Sequence, residues 1–113
     1  LGQGLSQSND EAVGYMYYQG KTKNGTKMDD YFGYNFGLIA SNEVLKNAAS
    51  ALQKLENKGL IIRTLAKEDI DESYLQHYPQ HALIIRPDRF VLAAPKNDNE
   101  IVKSLEKLGE ILV

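Results

Sequence analysis

The chain has 113 residues, a net charge of −2 at pH 7 and no cysteine. The length suits one domain with one ordinary core, and the lack of cysteine excludes disulfides, thiolate catalysis, iron–sulfur clusters and cysteine-ligated zinc. Its 13 basic residues are scattered among 15 acidic ones, so the sequence has no basic patch that would attract nucleic acid.

The N-terminal third predicts a lead-in and an extended arm. Residues 1–12 are rich in Gly, Gln, Ser and Asn and have too little apolar surface to fold, so we expect a linker or disordered lead-in before a single domain over 13–113. The aromatic segment that follows predicts an extended arm, which the strong turn signal Asn24-Gly25 ends. We then expect two short elements, a helical turn over 28–32 and a strand over 36–40.

The next segment predicts the most regular helix of the chain. Ser41 or Asn42 can cap it, and apolar residues recur at helical spacing over 43–57. Lysines near its end and Gly59 just after it are typical of a helix terminus. Three further segments follow: a strand over 60–66, an acidic loop over 67–72, and a loop or short helix over 73–81.

The stretch ALIIRPDRFVLAA, residues 82–94, predicts a β-hairpin. Proline fixes φ near −65°, so a two-residue loop that begins with Pro87 is excluded. The remaining solution is a type I turn with Pro87 and Asp88 at its centre, closed by Arg89 in the left-handed region at a cost of about 1 kcal/mol. Both apolar runs are continuous, which indicates strands covered on both faces. The helices are one cover, and something outside the chain is a candidate for the other.

A helix closes the chain. Asn97 and Glu100 form a capping pair, and isoleucine and leucine residues recur behind them at helical spacing. In order, the elements predict two parallel strands joined by a helix, then an antiparallel hairpin and a final helix. This is an α/β, thioredoxin-like plan, with a mixed central sheet of about four strands, helices packed on it and the N-terminal arm added.

Two stretches resemble one known family. ALIIRPDRFVLAA is similar to the hairpin near the C-terminus of flavoprotein aromatic hydroxylases of the phenol hydroxylase and 3-(3-hydroxyphenyl)propionate hydroxylase type, which has Arg-Pro-Asp-Gly between two apolar runs. The same family's entry to this domain has counterparts here at Gly14, Gln19, Met28-Asp29-Asp30, Gly33 and Phe36-Gly37-Leu38. The chain departs from the pattern at Arg89, where the family usually has glycine, and in Leu-Ala-Ala-Pro, where many relatives have Trp-Arg.

The resemblance implies a function for the chain as part of a larger enzyme. In that family the corresponding domain is thioredoxin-like, has no redox cysteines and follows a large region that binds FAD and substrate. The implied role is the non-catalytic C-terminal accessory or oligomerisation domain of an FAD- and NAD(P)H-dependent aromatic-ring monooxygenase. The implied partners are the parent's FAD and substrate domains and a second subunit. The alternative is a stand-alone, cysteine-free thioredoxin-like protein-binding module.

Histidine pairs can bind metals, and this chain has one pair. His77 and His81 are four residues apart, which is the spacing of two metal ligands on one face of a helix, and Asp71 and Glu72 are close in the sequence. Pro79 lies between them, however, and is poorly tolerated inside a helix. We therefore interpret them as solvated or core-edge histidines.

The other polar candidates have ordinary structural interpretations. Asp29 and Asp30 are adjacent, which favours a cap on the helical turn over an acid–base pair. Five of the seven tyrosines lie between residues 15 and 34, and without a basic groove they predict a protein interface or arm packing. Arg86 and Asp88 can pair across the turn. The glycines at 14, 20, 25 and 33 are too far apart for a phosphate loop.

The sequence therefore predicts no catalytic, cofactor-binding or metal-binding residue. A thiol-disulfide enzyme is excluded, because Ser41-Asn42-Glu43-Val44 stands where thioredoxins have Cys-x-x-Cys. No apolar run approaches the roughly 20 residues of a membrane helix, and no signal-peptide pattern is present. We expect a cytoplasmic protein that binds neither membrane nor nucleic acid and can form a homodimer. The chain begins with leucine, which indicates a processed product or an excised piece.

Overall fold

The computed structural model describes residues 15–112, so the predicted lead-in over 1–12 lies outside the described residues. Two 3₁₀ segments occupy the connection before the third strand: Lys67–Asp69, where an acidic loop is predicted, and Glu72–His77, where a loop or short helix is predicted. The helices and strands are α1 (Met28–Phe32), β1 (Phe36–Ala40), α2 (Asn42–Asn47), α3 (Ala49–Asn57), β2 (Ile62–Ala66), β3 (Ala82–Ile85), β4 (Val91–Ala93) and α4 (Asp98–Leu112).

The four strands form one mixed sheet in the order β2-β1-β3-β4. β1 and β2 are parallel, whereas β3 is antiparallel to both β1 and β4. This confirms the predicted α/β, thioredoxin-like plan. The arm (residues 15–20) is extended and pairs with the free edge of β4, where Met16 lies opposite Phe90. The Val91 N–H donates to the Tyr15 carbonyl at 2.8 Å.

The sheet is buried on both faces, as the continuous apolar runs predict. Ile84 contributes to a helix-side core, beneath α2, α3 and α4, that includes Leu38, Leu55, Ile101 and Leu105. On the other face lies an arm-side core. Its buried members include Tyr17, Met28, Phe32, Ile39, Leu65, Ile70, Tyr78, Leu83, Ile85 and Val91. The suggestion that something outside the chain covers this face is wrong, because the arm, α1 and the 3₁₀ region cover it.

The single helix predicted over 43–57 is interrupted. α2 and α3 are separated at Ala48, which has φ −90° and ψ −3°. The predicted ends are otherwise confirmed. The Ser41 hydroxyl accepts a hydrogen bond from the Val44 N–H at 3.3 Å, and Gly59 ends α3 with φ +93°. At the break, the Asn47 side chain donates to Asp98 Oδ2 at 2.7 Å, a contact between residues 51 positions apart.

The capping pair predicted for the last helix is confirmed. The Glu100 N–H donates to Asn97 Oδ1 at 2.9 Å, and the Glu100 carboxylate accepts from the Lys96 N–H at 3.0 Å. The Glu100 N–H belongs to the first turn of the helix, and the Lys96 N–H lies just before it. Neither donor has an acceptor within the helix, so the two side chains satisfy them. Of the helices within residues 15–112, none has the length and apolar character needed to cross a bilayer.

Candidate functional site

Polar side chains gather at one end of the sheet, which we call the polar end (Ser41, Asn47, Lys67, His81 and Asp98). β1 and β2 end here and β3 begins here, since Ala40 pairs with both Ala66 and Ala82. His81 Nε2 lies 2.7 Å from Asp98 Oδ1, and the Lys67 ammonium donates to the Gln80 carbonyl. Ser41-Asn42-Glu43-Val44, the segment that stands in place of Cys-x-x-Cys, begins α2 at this end. Asn47 and His81 both contact Asp98, Lys67 contacts a backbone carbonyl, and the Ser41 hydroxyl caps α2.

The structure gives the two histidines different partners. The His77 ring stacks on Tyr18, with centroids 3.6 Å apart and an interplanar angle of 8°. His81 instead contacts Asp98, which begins α4. Between residues 15 and 112, no three His, Asp or Glu side chains come together in a group that could hold a metal ion.

Acid should weaken the polar end. Hydrogen bonds from Asn47 and His81 lower the pKa of Asp98 below its ordinary value. Because its pKa is lower in the folded chain, ionised Asp98 stabilises the fold at every pH above its unfolded pKa of about 3.9. This contribution to the free energy of unfolding is lost as the pH falls through the lower pKa of the folded chain. We expect Asp98→Asn to reduce the fall in Tm between pH 5 and pH 2, and Asn47→Ala to reproduce part of that change. Thermal unfolding followed by circular dichroism measures it. Asp30→Asn, on the exposed side of α1, is the matched control.

The hairpin turn has the predicted geometry. Arg89 has φ +75°, and its N–H donates to the Arg86 carbonyl at 2.9 Å, which closes a type I turn around Pro87 and Asp88. The Arg86 N–H donates in turn to the Phe90 carbonyl at 2.9 Å. The predicted pair between Arg86 and Asp88 is present at 2.9 Å, but both side chains are partly exposed and the pair contributes little.

Arg89 also makes a contact that the sequence does not reveal. Its Nε lies 2.8 Å from Asp29 Oδ1 and joins the hairpin to α1. The interpretation of Asp29 and Asp30 as a cap is wrong, because Lys27 occupies the capping position and makes no side-chain bond there. Both aspartates lie in the first turn, where the helix dipole favours acidic residues. No local pattern could have found this pair, since its members are far apart in the sequence.

Two substitutions of Arg89 separate backbone strain from the ion pair. Arg89→Ala removes the pair and keeps a non-glycine residue at positive φ, so we expect a loss of about 1 kcal/mol in the free energy of unfolding. Arg89→Gly removes the pair and also relieves about 1 kcal/mol of strain, so its net change should stay within about 0.5 kcal/mol. Urea unfolding of both variants measures the difference. Equal losses in the two variants would contradict the role of strain.

The tyrosines divide into buried and exposed groups. Tyr17 and Tyr78 belong to the arm-side core, and the Tyr78 hydroxyl donates to the Tyr18 carbonyl at 2.6 Å. Tyr31 donates to the Thr64 carbonyl at 2.6 Å. Arm packing therefore accounts for part of the tyrosine-rich segment. Tyr34 remains 85% exposed and belongs to neither core of the described residues.

Alkali should unfold the domain through its buried phenols. Burial, assisted by the negative charge of Asp29, raises the pKa of Tyr17 to about 12, and burial also raises the pKa of Tyr78. A raised pKa means that the stabilisation is complete below the ordinary value near 10 and is lost as the pH rises towards the folded value. We expect the part of the tyrosinate absorbance that comes from the buried phenols to appear together with the loss of circular dichroism between pH 10 and 12, and Tyr17→Phe to weaken this dependence. Ionisation of every tyrosine near pH 10 without loss of structure would contradict it.

A shallow groove of about 420 Å³ lies between the hairpin turn and α4. Phe36, Pro87, Leu92, Leu108 and Ile111 form its apolar lining, with Arg86 and Asp88 beside them.

The glycines at 20, 25 and 33 lie at three separate places, in the arm, in the turn after Thr22 and at the end of α1. Gly14 lies outside the described residues.

Comparisons with known proteins identify where this fold occurs. No protein-family model and no curated protein matches the chain. The structure is similar to part of RebC, a rebeccamycin biosynthetic enzyme solved with reduced flavin, with a TM-score of 0.62 and 15% identity over 93% of this chain and 22% of that one. It is also similar to part of aklavinone-11 hydroxylase, solved with FAD and aklavinone, with a TM-score of 0.61 and 17% identity over 99% of this chain and 24% of that one.

Both similar proteins are solved with a flavin. At this level of identity the likeness establishes the fold and not the activity. The chain spans less than a quarter of the length of either protein.

Proposed function

We propose that the chain is the C-terminal accessory domain of a cytoplasmic, FAD- and NAD(P)H-dependent aromatic-ring hydroxylase, and that the domain itself catalyses no reaction. The observation that carries the proposal is the match of 93% and 99% of the chain to part of two proteins solved with flavin. The resemblance of the hairpin and of the Phe36-Gly37-Leu38 strand to the hydroxylase family supports it independently.

The chemistry of the polar end agrees with a role without catalysis. Its carboxylate is held by Asn47 and His81, and its serine hydroxyl is used as a helix cap. In the parent enzyme, FAD would supply oxygen activation, and NAD(P)H would supply the two electrons. One atom of O₂ would enter the phenolic ring and the other would leave as water.

Recovery of the complete reading frame that contains this sequence tests the proposal. We expect a flavin-binding region upstream of Leu1, and a purified full-length protein that oxidises NAD(P)H and oxygenates a phenolic substrate. The 113-residue chain mixed with FAD should show no stoichiometric flavin spectrum. A reading frame without a flavin region would overturn the proposal in favour of a stand-alone binding module. Stoichiometric FAD binding by the 113-residue chain would contradict its accessory role.

A further inference from the structure

Exposed apolar side chains are concentrated at the end of the sheet opposite the polar end. Within the described residues, six large apolar side chains are well exposed. Five of them form what we call the hairpin-end face: Tyr15 (69% exposed), Met16 (56%), Tyr34 (85%), Ile61 (60%) and Ile111 (60%). Exposed apolar patches on soluble proteins mark interaction sites when they are contiguous and large.

The strand pairing explains why these residues share one end. Tyr34 lies just before β1 and Ile61 just before β2, and the first residues of these parallel strands, Phe36 and Ile62, are paired. β3 ends at Ile85 opposite Gly37, so the hairpin turn lies at the same end. The arm brings Met16 beside Phe90 at the start of β4. The starts of β1 and β2, the arm beside β4 and the hairpin turn therefore lie at one end of the sheet, and Ile111 of α4 lines the groove beside that turn.

The groove makes this face concave. Ile111 belongs both to the face and to the groove of about 420 Å³, whose floor is formed by buried Leu108 and partly buried Phe36 and Leu92. The charges beside the groove, Arg86 and Asp88, neutralise each other at 2.9 Å. Within the groove, a partner therefore needs apolar surface, and neither charge of this pair calls for an opposite charge on it. The polar end, with its bound carboxylate and histidine, offers no comparable surface.

We propose that the hairpin-end face packs against the flavin-binding part of the same polypeptide, an inference that rests on the proposed function. Two observations favour this occupant over a second copy of the chain. In both similar structures this fold accounts for 22–24% of the polypeptide, which leaves more than three quarters of such a chain outside the domain. The described part of the chain also begins at Tyr15, which is itself exposed on this face.

The two methionines of the chain provide the test. Met16 is 56% exposed on the hairpin-end face, whereas Met28 is fully buried in the arm-side core. In the complete polypeptide, we expect peroxide to oxidise Met16 at least tenfold more slowly, as an order of magnitude, than in the same polypeptide unfolded in guanidinium. Met28 should be protected to a similar degree in any folded form of the domain, because it is buried. Mass spectrometry of the peptides measures both rates. In the 113-residue chain, only Met28 should be protected.

Two variants assign the protection to this face. Ile111→Asp and Tyr34→Asp should restore rapid oxidation of Met16 in the complete polypeptide while Met28 stays protected. Asn99→Asp, an exposed position near the start of α4, is the matched control and should leave Met16 protected.

The outcomes separate this inference from the proposed function. A complete polypeptide that binds FAD but oxidises Met16 at the unfolded rate overturns the inference alone. Protection of Met16 through dimerisation of the 113-residue chain, seen by sedimentation and lost in Ile111→Asp, would make the occupant a second copy and also overturn it. A reading frame without a flavin region overturns both.

Discussion

Replacing Gly37 by alanine is expected to lower the free energy of unfolding by about 1–3 kcal/mol, the usual cost of overpacking a core. A Cβ at this position would lie 2.6 and 2.7 Å from two carbons of the Phe32 ring. Phe32 is 3% exposed and makes edge contacts with Tyr17 and Tyr31, whose ring centroids lie 6.1 and 5.2 Å away. The ring therefore has no open space to move into. Chemical denaturation of the purified chain measures the loss.

Gly109→Ala is the matched control for this prediction. A Cβ at Gly109 would also meet an atom at 2.6 Å, but that atom is Cδ2 at the end of the flexible Leu55 side chain. Gly109 lies inside α4, where alanine is favoured over glycine by about 1 kcal/mol. We expect the gain in helix propensity to offset the contact and the net change to stay near zero. An equal loss in both variants would show that the rigidity of Phe32 is not the cause.

Most local features of the fold, although not the cap assigned to Asp29 and Asp30, are predicted by the sequence, because neighbouring residues determine them. Proline at position 87 excludes a two-residue loop, and the type I turn that remains needs a closing residue in the left-handed region, which predicts the positive φ of Arg89. The caps at Ser41 and Asn97 depend on side chains that reach backbone N–H groups only three residues away. Strand β1 has the predicted bounds, Phe36–Ala40.

Features that depend on distant residues are not visible in the sequence. The pair between Asp29 and Arg89 joins residues that only the tertiary fold brings together. Nothing in the local sequence marks the break at Ala48, since alanine is the best helix former. The sequence predicts an extended arm but does not predict that it pairs with β4. This pairing allows the chain to cover the second face of its own sheet.

The same distinction applies to function. The sequence predicts that the chain has no catalytic residue of its own and that its tyrosines pack or bind a protein. It cannot group the exposed apolar residues, because Met16, Tyr34, Ile61 and Ile111 belong to four different elements or connections. Only the order and direction of the strands bring them to one end. The candidate interface is therefore a property of the topology.

Ile84→Ala and Ile85→Ala should each cost about 2–5 kcal/mol in the free energy of unfolding, through lost burial and the cavities left behind. Both side chains are 1% exposed, but they point to opposite faces of the sheet. Ile84 packs in the helix-side core with Ile101 and Leu105, and Ile85 packs in the arm-side core. Equilibrium denaturation with urea measures each loss.

Ile111→Ala is the matched control, since Ile111 is 60% exposed and its truncation should change the stability by less than about 0.5 kcal/mol. Because Ile84 and Ile85 face different cores, we expect the losses of the double variant to add to about 4–10 kcal/mol. The free energy of unfolding of small domains is about 5–15 kcal/mol. The double variant should therefore lose its cooperative unfolding transition. If only Ile85→Ala caused a small loss in the free energy of unfolding, the arm and α1 would not pack tightly on their face of the sheet. That face would then be open to a partner, as the hairpin-end face is proposed to be.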